Sequence, residues 1–527
     1  MTRIGPTRSY TGPGNVAVSP HHLATTAALE VMGAGGTAAD GAIAANAVLG
    51  MVLPDTCGIG GDLFAMIHTP GVDRPAVLNA SGRAGSGVDA AAMRTAGRER
   101  IERTDPEAVT VPGCVGGWIA LSDRFGALPL ADVLTPAIRH GREGFLVSRE
   151  LSGALHHAAA TLARKSEHLY PGGAAADPMA TITRPDLAAT LEAIGSEGRT
   201  AFYEGSVAAA ISDATGGTLT PDDLAANRPD WVPPARIEVF GHTAWTVPPN
   251  SQGYLTLATC WILEQLGPPA DPDDPAFHHA VIEAYRAMAW ERDDLVADPD
   301  HAPHDAAWLL DPERLAPRVE RISPDSVAPW PAAGDAPGGT AYLCTVDANG
   351  MGVSFIQSNF TGLGGLIVPE GPGFLLHNRG AGFTLAEGHP NEIAAGKRPL
   401  HTLSPTLWSA DGELRMVLGT RGGHQQPQYL AQVAALLLHA GMEPSAAQGV
   451  PRWHIDAPGE SDGSVVSIEA RMAEGVVAGL AGRGHGVITG PTSAPGWGPV
   501  SVIAVDGATR HAAADPRVST SAGDGDG

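Results

Sequence analysis

Pro337-Gly338-Gly339-Thr340-Ala341-Tyr342-Leu343-Cys344-Thr345-Val346-Asp347 is a Pro/Gly-rich loop that runs straight into an apolar stretch opening on a threonine. Ala348-Asn349-Gly350 follows, then a second apolar run from Met351 to Ile356. Asn-Gly between two such runs is a strong hairpin signal. The spacing therefore places Thr340 at the outer end of a hairpin. An internal threonine hydroxyl is a poor nucleophile. If the chain is cut just before it, the new α-amino group, with a pKa of about 8, becomes a general base beside its own hydroxyl. Gly339 has no Cβ to obstruct attack on its carbonyl. Gly-Gly-Thr before a strand is also an ordinary loop, so the rest of the chain must decide.

The chain has 527 residues, a formal charge of −24 and a pI near 5.1. That balance argues against nucleic acid and anionic membranes, which select basic surfaces. Lys165 and Lys397 are the only lysines. Cys57, Cys114, Cys260 and Cys344 are scattered without a CxxC, which reads as buried thiols rather than a disulfide framework. No apolar run reaches about 18 residues, and Met1 to Val16 has no apolar centre for a signal peptide. A cytoplasmic location is the resulting expectation.

Along the chain, His22 to Met32 has helical spacing, and Thr37-Ala38-Ala39-Asp40 is a capping-box start for a small-residue helix up to Leu53. Cys57-Gly58-Ile59-Gly60-Gly61-Asp62 precedes a strand, not a helix, and does not match the dinucleotide fingerprint. Residues 88–230 read as mostly helical. Ala235 to Val247 alternates as strands, Tyr254 to Leu266 and Phe277 to Asp294 read as helices, and 323–339 as a linker. The part after Thr340 is strand-rich, with helices near 427–441 and 469–482. Residues 1–15 read as loose and 518–527 as a disordered tail. HExxH does not occur, and no metal and no cofactor are expected.

Taken in order, these motifs resemble the γ-glutamyltranspeptidase family of N-terminal-nucleophile hydrolases. The likeness runs from His22-Leu23-Ala24 and the Gly-Gly-Thr-Ala-Ala-Asp run at 35–46, through Pro248 to Gly253 and Thr340 to Asp347. It continues through Gly396-Lys397-Arg398-Pro399-Leu400 and Gly419 to Gly423, and closes at Ala514-Asp515-Pro516-Arg517. The resemblance implies an α+β fold, a four-layer αββα sandwich, and self-cleavage at Gly339–Thr340. The large (1–339) and small (340–527) fragments would remain together as a heterodimer; further dimerisation stays open. It makes Thr340 the nucleophile and Gly422-Gly423 the oxyanion hole. The substrate would be a small-molecule amide of γ-glutamyl, glutathione-like type.

The pocket residues depart from the family pattern. Leu375-Leu376 is followed by His377-Asn378-Arg379-Gly380-Ala381-Gly382, so Gly382 stands where an ammonium-binding Asp is expected and Arg379 where a Gln is expected. A Ser-Ser pair that binds carboxylate reads His401-Thr402. The groups flanking the nucleophile fall near Ile356 and Ser358, and Arg83 is the nearest counterpart of the carboxylate-clamping arginine. These changes resemble the acylase-like branch acting on glutaryl-type cephalosporins. The alternatives are such an acylase with little γ-glutamyl activity, or an uncut inactive homologue that only binds.

Overall fold

The computed structural model describes residues 8–331, 339–455, 465–491 and 496–527, so part of the expected linker, residues 332–338, lies outside the described residues. The hairpin forms as its turn signal predicts: Gly339–Val346 pairs antiparallel with Gly352–Phe360, with a register shift between Gly339 and Ala341. Both strands sit inside a seven-stranded antiparallel sheet. The Gly339–Val346 strand is flanked on its other side by Val16–Ser19, and Gly352–Phe360 by Asp62–His68. A second seven-stranded antiparallel sheet is centred on Thr406–Ala410 and Glu413–Thr420.

Side-chain alternation sorts the core. Ala341 and Leu343 point to a cluster shared with the helices His22–Gly33 and Ala38–Val52. Tyr342, Cys344 and Val346 point to a cluster shared with Trp245, Leu407, Val417 and Ile503 of the other sheet. That sheet turns Trp408, Met416 and Leu418 to a third cluster, with the helices Tyr254–Leu266 and Pro275–Ala289. Strands covered on both faces are buried continuously rather than alternately, and the polar residues they carry, Thr345, Ser354 and Gln357 among them, are hydrogen-bonded.

The Ala38–Val52 helix starts at the expected capping box: Thr37 accepts from Asp40 N and Asp40 accepts from Thr37 N. The helix is buried all round, and its alanines and glycines allow neighbours on every side. The expected helix to Asp294 is two pieces, Pro275–Ala289 and Arg292–Leu295. Among the described residues no helix is long and apolar enough to cross a membrane.

Both chain ends correct the sequence reading. Ser9–Gly12 is an edge strand on Thr509–Ala513, and Ala522–Gly525 is an edge strand on Val16–Ser19, so residues 9–12 and 522–525 are held in sheets, while residues 1–7 lie outside the described residues. Asp526 closes this corner, accepting from Asn15 N and Nδ2 at 2.8 Å each. Edge strands are held by backbone hydrogen bonds, which leave no apolar periodicity to find in Ala522-Gly523-Asp524-Gly525. Deleting residues 522–527 is therefore expected to lower the melting temperature by at least about 2–4 °C, the equivalent of roughly 1 kcal/mol in a mid-sized domain. Calorimetry on the full and shortened chains checks this; identical melting temperatures would return the segment to a dispensable tail.

Candidate active site

Thr340 is 1% exposed at the end of its strand. Its hydroxyl donates to Ser358 Oγ at 3.2 Å, and Ser358 Oγ donates in turn to the Gly339 carbonyl at 2.5 Å. The Phe360 N–H fixes Ser358 by donating to the same oxygen at 2.8 Å. One serine hydroxyl thus bridges a threonine hydroxyl and the carbonyl of the peptide bond immediately before it. A Cβ on residue 339 would lie 2.9 Å from Gly362 N, so glycine is required there by packing as well as by access.

The opposite sheet supplies the other wall. The strand Glu413–Thr420 ends beside Thr340, and Arg421 shares a small cavity with Thr340, Tyr342 and Asp515. Gly422 and Gly423 follow with φ of 135° and 58°, conformations that favour glycine. Among the described residues no acceptor takes their N–H groups. The Gly423 carbonyl accepts from Gln252 Nε2 at 3.1 Å, and Gln252 also donates to the Thr402 carbonyl at 3.1 Å.

Arg379 opens a short helical turn, Arg379–Gly382, behind Asn378. Asn378 stitches that turn to the hairpin, donating to Gly364 O at 3.0 Å and accepting from Thr361 N at 3.1 Å. The guanidinium is 1% exposed, donates to Thr402 Oγ1 at 3.1 Å and reaches toward Ser358 Oγ at 3.5 Å. Its Cζ stacks 4.1 Å from the centre of the Phe360 ring, and Phe360 takes a φ of 71°, rare for a bulky residue and typical of functional sites. Arg379 makes no ion pair among the described residues, and its Nε is buried without a partner. Burial pushes it down to about 9, the field of Asp62 opposing that shift.

Asp62 lies in the layer behind. It accepts from Gly82 N at 2.9 Å, and its Oδ2 stands 3.1 Å from His401 Nε2 and 3.6 Å from His377 Nδ1. Burial pushes Asp62 up, but His377, His401 and Arg379 outweigh it and hold the carboxyl at about 2. Burial, then Arg379, pushes His401 down to about 3, so at neutral pH it is an uncharged donor to an ionised Asp62.

A cleft of about 760 Å³ lies beside this group, lined among others by Phe360, Arg379, Gly382, Thr402, His424 and Arg103. The structure therefore brings together Thr340, Ser358, Arg379, Thr402 and Gly423, and separates the other candidates. Arg83 does not line the cleft: it donates to Gly396 O at 3.0 Å and faces Asp230 and Asp298, each at 3.4 Å. His401 points away from the cleft to Asp62, and Ile356 belongs to the apolar cluster between the sheets. Asp62 and Gln252 escaped sequence reasoning as site residues. Both stand in motifs, Gly60-Gly61-Asp62 and Ser251-Gln252-Gly253, whose glycines draw attention first. Among the described residues no three His, Cys, Asp or Glu side chains converge to hold a metal ion.

Comparison with known proteins identifies the family. A family model described as gamma-glutamyltranspeptidase matches residues 24–524. A glutathione hydrolase-like proenzyme of Bacillus subtilis is 32% identical, over 95% of this chain and 96% of its own. An oxamate amidohydrolase proenzyme of Klebsiella pneumoniae is 34% identical, over 90% and 91%. A crystal structure of a cephalosporin acylase from Bacillus halodurans superposes with a TM-score of 0.91 at 29% identity, covering 99% of this chain and 97% of that one. The chain belongs to the γ-glutamyltranspeptidase family and is an N-terminal-nucleophile hydrolase of the γ-glutamyltranspeptidase and acylase type.

Proposed function

We propose that this protein cuts itself at Gly339–Thr340 and then hydrolyses or transfers an anionic acyl group from a small amide through an ester on Thr340. The two sheets with helices against their outer faces are read as the four-layer αββα sandwich of this enzyme class, with fragments 1–339 and 340–527 remaining as one heterodimer. In the uncut chain Thr340 Oγ1 attacks the Gly339 carbonyl carbon. The C–N bond breaks, the nitrogen takes the hydroxyl proton, and water then cleaves the ester to leave a Gly339 carboxylate and a free Thr340 amine. Ser358 supports this step, since it holds the attacking hydroxyl and polarises the attacked carbonyl. In the mature protein the amine takes the Oγ1 proton as a substrate carbonyl is attacked, and delivers it to the leaving amine. The Gly422 and Gly423 N–H groups are the donors for the oxyanion. Water or a second amine releases the acyl group.

Arg379 carries the choice of acyl group. A buried guanidinium with no carboxylate at ion-pair distance is costly unless a ligand supplies the anion. A γ-glutamyl donor also brings an ammonium, and the residue expected to hold it is Gly382. The relative named an oxamate amidohydrolase supports an anionic acyl group, and the cephalosporin acylase supports departure from γ-glutamyl donors.

Three expectations follow from these assignments. First, the purified protein should run as two chains, the smaller beginning at Thr340, and Thr340→Ala should stay one inert chain; N-terminal sequencing and a denaturing gel decide it.

Second, Gly423→Val in already matured protein should lower kcat roughly 10²–10³-fold with KM much less affected. A change confined to KM would make the glycine a binding-site turn.

Third, Arg379→Met in the uncut Thr340→Ala background should raise the melting temperature at pH 7. The folded pKa of Arg379, about 9, is below its ordinary 12.5. Its charge therefore opposes folding at every pH below about 9, and that opposition fades as pH rises from 9 towards 12.5. The gain from Arg379→Met should accordingly shrink above pH 9. A lower melting temperature at pH 7 would mean that the cation already has a partner.

A further inference from the structure

Two arginines that line the cleft have no carboxylate partner among the described residues. Arg379 is one. Arg103 is the other: it is half-buried, and its side chain makes no hydrogen bond or ion pair among those residues. We infer that Arg103 is a second anion-binding residue of the cleft, so that the preferred donor carries two carboxylates, one for Arg379 and one for Arg103. This rests on the reading of Thr340 as nucleophile and Arg379 as the anion site.

The charges around Arg103 are otherwise matched. Glu102 and Asp293 are the carboxylates that line the cleft among the described residues. Glu102 accepts from Arg100 Nε at 2.7 Å, and Asp293 accepts from Arg292 Nε at 2.8 Å. The acids that follow in the same loop, Asp105 and Glu107, are both taken by Arg98. Each acid near Arg103 thus has another arginine. The whole chain carries a formal charge of −24, which repels an anion at long range. Two unmatched guanidinium groups in one concave site reverse that sign locally, and low-dielectric walls focus the field. The backbones that carry the two groups are also fixed relative to each other. On one side of Arg103, Ile101 is buried in an apolar cluster with Phe383 and Leu385. On the other, the short turn Pro106–Ala108 lies against Arg379–Gly382, where a Cβ on Gly380 would stand 2.5 Å from the Glu107 carbonyl oxygen. Arg379, 1% exposed, is the deep site, and Arg103 is the outer one. Each guanidinium is a donor-only fork that matches an acceptor-only carboxylate. The cleft volume, about 760 Å³, is in the range that takes a drug-sized ligand rather than one acid group. The second carboxylate has two chemical sources, a branch of the acyl chain or the departing amine, and separate donors distinguish them.

The experiment uses mature two-chain protein as wild type, Arg103→Met and Arg74→Met. Arg74 is exposed, in the turn that leaves the strand Asp62–His68 at its end away from Asp62, so its loss removes the same charge outside the cleft. The donors are glutaryl para-nitroanilide, the same compound with a carboxylate added to the aniline ring, and the same compound with a carboxylate added to the acyl chain. Release of the nitroaniline gives kcat/KM, and turnover of the first donor shows that each variant is folded. The kcat/KM of each doubly charged donor is taken relative to glutaryl para-nitroanilide. Comparing that ratio between proteins cancels the intrinsic reactivity of the donors. In Arg103→Met the ratio should fall about threefold or more for at least one doubly charged donor, and in Arg74→Met it should not fall. A fall for the ring carboxylate assigns Arg103 to the amine, and a fall for the chain carboxylate assigns it to the acyl group; either supports the proposal. No fall with either donor, or an equal fall in Arg74→Met, overturns the proposal and leaves Thr340 and Arg379 in their roles. A chain that stays uncut, or that turns over acetyl para-nitroanilide and none of the three charged donors, overturns the underlying reading as well.

Discussion

Gly419 lies against the ring of Tyr342, and a methyl group added there would stand 2.0 Å from the ring carbons. Stacked sheets keep about 10 Å between their backbones because side chains fill the gap. At this one end a bare backbone replaces a side chain, so a strand of the second sheet can rest directly on an aromatic ring of the first. That contact sets where the strand Glu413–Thr420 stops relative to Gly339–Val346. Arg421 consequently shares a cavity with Thr340, and the two positive-φ glycines that follow begin at the same level. The hydroxyl and the unpaired N–H donors come from different sheets and are separated by 82 positions in sequence, counting from Thr340 to Gly422. Their alignment is a property of the sheet stacking, and any bulk at 419 would shift it.

Electrostatics arrange the remaining wall. Asp62, His377, His401 and Arg379 are all buried. Asp62 is satisfied by Gly82 N and His401, which occupies its oxygens and stops it from pairing with the arginine. The guanidinium therefore feels the carboxylate's field without its contact. Two hydroxyls and an aromatic face hold Arg379 in place, and its charge remains available on the cleft side. Had Asp62 paired directly with Arg379, the cation would be a structural element. Kept apart, the cation has no anionic partner among the described residues, and the proposed anion site rests on that.

Local signals carried much of this architecture. The Asn349-Gly350 turn, the Thr37 cap and the helix Tyr254–Leu266 are short-range patterns, and each appears where its residues require. Ser9–Gly12 and Ala522–Gly525 show no such signal, because an edge strand is bound through its backbone and carries no pattern of its own. Within the site, residue type was legible and direction was not. Arg83 and His401 have the chemistry of anion ligands, but nearby carboxylates, Asp298 and Asp230 for one and Asp62 for the other, turn them away from the cleft. Those carboxylates lie up to 339 positions away, and nothing in a linear pattern relates them. Ser358 was placed near the nucleophile by alignment. That it touches both the Thr340 hydroxyl and the Gly339 carbonyl emerged only from the hairpin register.

The same contacts explain why an uncut chain and a working enzyme can share one site without competing. In the continuous chain Thr340 is buried and does not line the cleft, and its hydroxyl is committed through Ser358 to its own preceding carbonyl. A substrate in the cleft meets Phe360, Arg379 and Thr402 first. Through Ser358 the hydroxyl is tied to the carbonyl of its own preceding residue. The proposed cleavage would remove that carbonyl and free an amine at the same point. Ser358 touches the nucleophile and the arginine alike, so it couples the proposed cleavage step to the wall of the cleft.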